Sequence, residues 1–122
     1  MTENTTTADI VASFFDKYRR ALLDRDAKRV AQLYAVPALI LFPGQSIAVS
    51  DAAQTEKFFA SAWDQYEGVT DTRTELDVVA TTPGSVWVDL TWHHDNGASE
   101  RLMYQLVRTE EDWRIAVLTP LG

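Results

Sequence analysis

The chain has 122 residues, of which 46% are hydrophobic, with a net charge of −7 and no cysteine. That length suits one domain over 1–122 with its own core, and the missing cysteine excludes disulfides, thiolate catalysis and cysteine-ligated metals. Scattered bases within an acidic balance argue against nucleic acid, and no apolar run approaches the ~18 residues that cross a bilayer. With no signal-like start in MTENTTTAD, a cytoplasmic location is expected.

In chain order, residues 1–6 read as frayed and Thr7 as an N-cap. Ile10, Val11, Phe14, Tyr18, Ala21 and Leu22 then recur at helical spacing to about Asp24. Asp26 can cap a second helix carrying Val30, Leu33 and Tyr34, which Pro37 is expected to end. The basic residues Lys17, Arg19, Arg20, Arg25, Lys28 and Arg29 interleave with Asp16, Asp24 and Asp26, the pattern of a solvated face. Residues 38–42, ALILF, read as a buried strand before a Pro43-Gly44 turn and a short IAV piece. Ser50 is expected to cap a third helix with Phe59, Ala62, Trp63 and Tyr66 on its apolar stripe, closed by Gly68.

Four antiparallel strands are predicted after that, at 72–82, 85–95, 99–109 and 113–119. The order of elements is that of an α+β fold rather than an alternating α/β one. Alternation puts Val86, Val88, Leu90 and Trp92 on one face with Leu102, Tyr104 and Leu106, then Trp113, Ile115, Val117 and Thr119. Thr74, Leu76, Val78 and Ala80 extend this face on the preceding strand. The opposite face carries Trp87, Asp89, Thr91, His93, Met103, Gln105, Val107, Ala116 and Leu118. In this register Glu75, His93 and Arg101 form one row and Asp89 lies beside Val79 and Gln105.

The two histidines of the chain are adjacent and so point to opposite faces. They cannot share a metal ion, and no clustered carboxylate spacing replaces them, so no metal site and no cofactor is expected. His93 and Asp89 read as structural or interfacial. His94 is either a solvated rim residue or a polar group at a pocket mouth.

Helices over a curved sheet leave room for a conical pocket. Its candidate lining is Phe14, Tyr18, Tyr34, Phe42, Trp63, Tyr66, Trp92, His94, Tyr104 and Thr119. Trp87, His93, Met103, Val107 and Leu118 are left with no helix to cover them, which points to a homodimer through the outer sheet face.

YRRALLDRDAKRVAQLYAVPALILFPG (18–44) and WRIAVLTPLG (113–122) resemble the NTF2-like superfamily, in its SnoaL-like and ketosteroid isomerase-like branch. The resemblance implies a cone with a curved antiparallel sheet wrapped around N-terminal helices, a fold that hosts enzymes and binding modules alike. It also implies that Tyr18 and Tyr34, sixteen residues apart, match the isomerases' oxyanion tyrosine and its partner. The isomerases' general-base aspartate falls on Phe42, which cannot take a proton, and their second acid has no match. No strand carboxylate is expected beside His94 of the kind an Asp–His cyclase site requires. Asp24-Arg25-Asp26 matches the epoxide hydrolases' acid–Arg–acid set only sequentially and reads as a capping turn. Two functions remain open: an apolar small-molecule site with Tyr18 and His94 as candidate catalytic groups, or a non-catalytic dimerisation or accessory module with a packed cone.

Overall fold

The computed structural model describes residues 6–42, 45–110 and 112–121, without the side chains of Phe42, Gln45 and Gln65. Helix α1 (Thr7–Leu23) is capped by Thr6 and Asp9, each side chain bonding the other's backbone N–H. Thr6 is therefore the cap and not part of a frayed end; residues 1–5 lie outside the described residues. Val11, Phe14, Phe15, Tyr18, Ala21 and Leu22 form the buried stripe of α1, as the 3.6-residue period requires.

Helix α2 (Ala27–Gln32) starts on the Asp26 cap and is shorter than its apolar spacing suggests. Leu33 closes it, and Tyr34 already belongs to strand β1 (Tyr34–Phe42), which carries a cis Val36–Pro37 bond. Pro37 thus lies inside a strand rather than ending a helix. Strand β2 (Gln45–Val49) returns antiparallel to β1. Helix α3 (Ala52–Ala62) is capped by Asp51 with Gln54, while Ser50 donates to the Gln54 side chain. A 3-10 turn follows at Trp63–Tyr66, and Gly68 at φ +82° supplies the left-handed residue that turns the chain.

Strands β3 (Thr72–Thr82), β4 (Ser85–His94), β5 (Ser99–Thr109) and β6 (Asp112–Pro120) form a meander close to the predicted bounds. The six strands make one sheet in the order β2-β1-β6-β5-β4-β3, antiparallel apart from the parallel β1–β6 pair. The helices and the curved six-stranded sheet make an α+β fold.

Two bulges decide which residues face the core. Val88 pairs with Val78 and Trp87 with Ala80, so Val79 is the extra residue and Ala80 moves to the outer face. Gln105 pairs with Val117 and Leu106 with Ile115, so Ala116 is extra on β6. Beyond it the alternation inverts: Leu118 turns inward opposite Tyr104, and Val117 and Thr119 turn outward. Leu118 is 1% exposed and belongs to the core, which corrects its assignment to the outer face and that of Thr119 to the cone.

The strand register is also displaced by two residues from the expected one. His93 stands opposite Arg73 and Ser99, and Asp89 opposite Asp77 and Met103. The predicted row is replaced by diagonal contacts, His93 Nε2 to Glu75 at 2.9 Å and Arg101 Nε to Asp89 at 3.0 Å. The hydrogen bond and charge of Arg101 hold the Asp89 carboxyl below its usual range.

One buried polar atom in the helical layer is unsatisfied. Thr55 on α3 is fully buried, and its Oγ1 has no hydrogen-bond partner among the described residues. An orphaned hydroxyl costs about 1–3 kcal/mol, and valine has nearly the same shape. Thr55→Val is expected to raise stability by ~1 kcal/mol, read as a higher denaturant midpoint at unchanged slope; a lower midpoint would show that the hydroxyl is satisfied.

Candidate functional site

The interior of the cone is a cluster of aromatic rings. Tyr18 from α1 meets Tyr34, Trp92 and Tyr104 with ring centroids 5.8–6.1 Å apart, and Phe15 packs edge-on against Tyr104 at 4.9 Å. These contacts arise because helical spacing on α1 and inward alternation on β4 and β5 aim large side chains at one volume. Tyr18, Tyr34, Trp92 and Tyr104 are all at most 3% exposed.

Polar tips join within this core. The Tyr18 and Tyr34 hydroxyls lie 2.6 Å apart, and Trp92 Nε1–H donates to the Tyr104 hydroxyl at 3.0 Å. Burial, then the neighbouring phenols, pushes the Tyr18 and Tyr104 hydroxyls well above their ordinary value of 10. Tyr34 is raised by burial too, against the opposing effect of its bond to Tyr18. These phenols stay protonated and act as donors.

Little space remains among them. A void of about 20 Å³, lined by Tyr18, Trp92, His94 and Tyr104 among others, has room for about one water-sized group. At its edge His94 has a side chain only 6% exposed. Its Nε2 lies 2.9 Å from Glu100 Oε2 and its Nδ1 lies 3.0 Å from Thr72 Oγ1. The Tyr66 ring stands perpendicular to the imidazole, with centroids 6.0 Å apart. Burial, then the charge of Glu100, raises the Tyr66 hydroxyl despite nearby Arg25.

Arg25 is part of this edge and not of a solvated face. It takes φ 55°, a left-handed conformation uncommon outside glycine. Its guanidinium donates to the carbonyls of Tyr66 at 2.8 Å and Val69 at 2.9 Å, and to those of Leu22 and Leu23 at 3.2 Å each. One side chain therefore clamps the end of α1 to the segment that closes the mouth. The neighbouring Asp95 carboxylate accepts from both the Thr70 backbone and its hydroxyl, which lowers its pKa.

The structure thus brings Tyr18, Tyr34, Tyr66, Trp92, His94 and Tyr104 together and disperses the other predicted lining residues. Phe14 packs against Phe15, toward the N-terminal half of α1. Trp63 packs on Phe59 and Tyr66 rather than lining the void. Thr119 is on the outer face, and Phe42 ends β1 with its side chain outside the described residues. Trp87, His93, Met103 and Val107 lie on the outer face, half-buried.

Glu100 overturns the expectation that no strand carboxylate stands beside His94. It pairs with Trp92, and its side chain reaches diagonally to the imidazole. The signal was present: the two-residue step that turns Leu102 and Tyr104 inward turns Glu100 inward as well. The same step back from Thr74 turns Thr72 inward, but Arg25 had no comparable signal, since it reaches the site through contacts distant in sequence. Among the described residues no group of three or more His, Asp or Glu side chains converges as a metal site would require. Nor, among them, is any helix long and apolar enough to cross a membrane.

The family model described as NTF2-like protein (DUF6841) matches residues 7–122. The chain belongs to this NTF2-like family. Solved structures share its fold at low identity. A domain of unknown function with a cystatin-like fold from Nostoc punctiforme is 19% identical at TM-score 0.73, covering 97% of this chain and 80% of that one. An NTF2-like protein of unknown function from Shewanella oneidensis is 10% identical at TM-score 0.72, covering 93% and 97%. A candidate calcium/calmodulin dependent protein kinase II association domain from Xanthomonas campestris is 20% identical at TM-score 0.70, covering 93% and 86%. No curated protein matches the sequence. An NTF2-like fold at such identities leaves function to the site itself.

Proposed function

We propose that this NTF2-like protein binds a small molecule by one carbonyl or anionic oxygen at the mouth of the cone. The observation that carries this reading is a surplus of buried donors. The Tyr104 hydroxyl accepts from Trp92 Nε1 and has no acceptor for its own proton among the described residues. In the Tyr18–Tyr34 pair one proton is likewise left over. Either hydroxyl can donate in that pair; a ligand oxygen in the void selects the arrangement in which Tyr34 donates, because Tyr18 lines the void and Tyr34 does not, and the Tyr18 proton then faces the same space as that of Tyr104. A packed structural cone has no use for two spare phenol donors, because phenylalanine fills the same volume without the desolvation cost.

Such an oxygen fits the space, and the body of the ligand would sit toward Tyr66, His94 and Glu100. Widening the site requires the 63–70 segment to move. The chemistry compatible with this arrangement is proton transfer at His94, beside an oxygen held by Tyr18 and Tyr104.

A second reading, a homodimeric accessory module with a filled cone, is favoured by the small void and the outer face. Trp87, Met103 and Val107 on that face are joined by Leu39, 39% exposed on β1. Native mass spectrometry of the purified protein addresses both readings. The first expects a reproducible small adduct that both Tyr104→Phe and Tyr18→Phe deplete while the fold persists. A bare dimer in every preparation would favour the second reading, and a bare monomer would remove both.

A further inference from the structure

A second recess lies at the other end of α1. Ile10, Phe14, Leu33 and Trp113 form its apolar floor, and its free volume is about 360 Å³. That is within the roughly 300–1,000 Å³ of small-molecule sites and far larger than the void of the cone. The recess and the void share no lining residue, although Lys17 of the recess and Tyr18 of the void are neighbours on α1, facing different sides of the helix.

Two carboxylates and two cations line the recess. The Asp9 carboxylate accepts from the Thr6 backbone N–H in the helix cap, while Asp112, exposed like Lys17, has no ion-pair partner among the described residues, which leaves one uncommitted carboxylate against two cations. Lys17 and Arg114 also line the recess, and neither has an ion-pair partner among the described residues. Two unpaired cations above an aromatic and aliphatic floor complement a flat apolar molecule with one acidic group. Arg114 can meet a carboxylate or sulfonate with two N–H donors, and Lys17 adds a mobile charge.

We propose that this recess is a binding site for flat, apolar monoanions such as aromatic carboxylates or sulfonates. Rings would lie against Trp113 and Phe14, and the acid would meet Lys17 and Arg114. The site is independent of the oxygen site proposed for the cone.

The test is a fluorescence titration with 1-anilinonaphthalene-8-sulfonate, compared with the uncharged N-phenyl-1-naphthylamine. The expected result is saturable binding of one sulfonate per chain and at least tenfold weaker binding of the neutral analogue. The Lys17→Ala/Arg114→Ala double variant should weaken sulfonate binding about tenfold, equivalent to ~1.4 kcal/mol, at unchanged circular dichroism and Tm. Tyr18→Phe should leave it unchanged, which separates failure here from failure of the cone reading. Should the double variant unfold, Lys17→Ala alone still has to weaken binding. Sulfonate affinity unaffected by the cation substitutions, equal affinity for both probes, no saturable binding, or loss with Tyr18→Phe would each overturn the proposal.

Discussion

Arg25→Ala is expected to destabilise the protein by about 2–3 kcal/mol, the scale of a single hydrogen bond to a charged group, because the part-buried carbonyls it releases can turn to water. The loss falls where the guanidinium ties the Tyr66 and Val69 carbonyls to the last turn of α1. Arg25→Lys should recover only part of it, because one ammonium cannot span carbonyls on both sides as the planar fork does. Chemical denaturation gives the magnitude, and hydrogen exchange gives the place. Amide protection should fall first at Val69, whose N–H bonds the Tyr66 carbonyl, while the β4–β5 ladder keeps its protection. A uniform loss, or a loss below ~0.5 kcal/mol, would show that the clamp is incidental. Selective loosening would also identify 63–70 as the part of the mouth that gives way to a ligand.

Raising the pH above about 10 should unfold the protein cooperatively, with phenolate absorbance appearing together with the loss of secondary structure. Tyr18, Tyr34, Tyr66 and Tyr104 all have folded-state values raised above the ordinary 10, chiefly by burial. A raised value means that the folded state holds its proton more tightly than the unfolded chain. The stabilisation is therefore complete below pH 10 and is lost as pH rises toward the folded-state values. Four such phenols give a slope approaching ~5 kcal/mol per pH unit once the unfolded chain is ionised. Tyr34→Phe should lower that slope by about a quarter. Phenolate formation by these tyrosines in a still-folded protein would contradict the closed cone.

Much of the fold was legible because it depends on local periodicity. The α1 stripe from Val11 to Leu22 and the alternation Val86, Val88, Leu90, Trp92 each specify a buried face without knowledge of the rest of the chain. The Asp26 cap and the Gly68 stop were equally local. Within the site, the same alternation turned Trp92, His94 and Tyr104 toward one volume. On β5 the same alternation, continued one step beyond Leu102, turns Glu100 inward beside His94.

The remainder was not local. Alternation distinguishes the two faces of a strand but is blind to a slip of two residues, which keeps every side chain on its face. That is why Asp89 was expected beside Gln105 and stands opposite Met103. A bulge breaks alternation without a mark in composition, and Ala116 thereby exchanged the faces of Leu118 and Thr119. Arg25 was hidden for another reason. Its charge in a polar turn reads as solvated until the fold brings the Tyr66 and Val69 carbonyls within its reach. The sequence by itself determined most of the elements and their buried faces, through periodicities of two or 3.6 residues, while its resemblance to the NTF2-like superfamily implied the cone. Only the tertiary structure decided the register, the bulges, the Glu100–His94 contact and the near-filled cone, because these depend on turn geometry and on side chains meeting across distant segments.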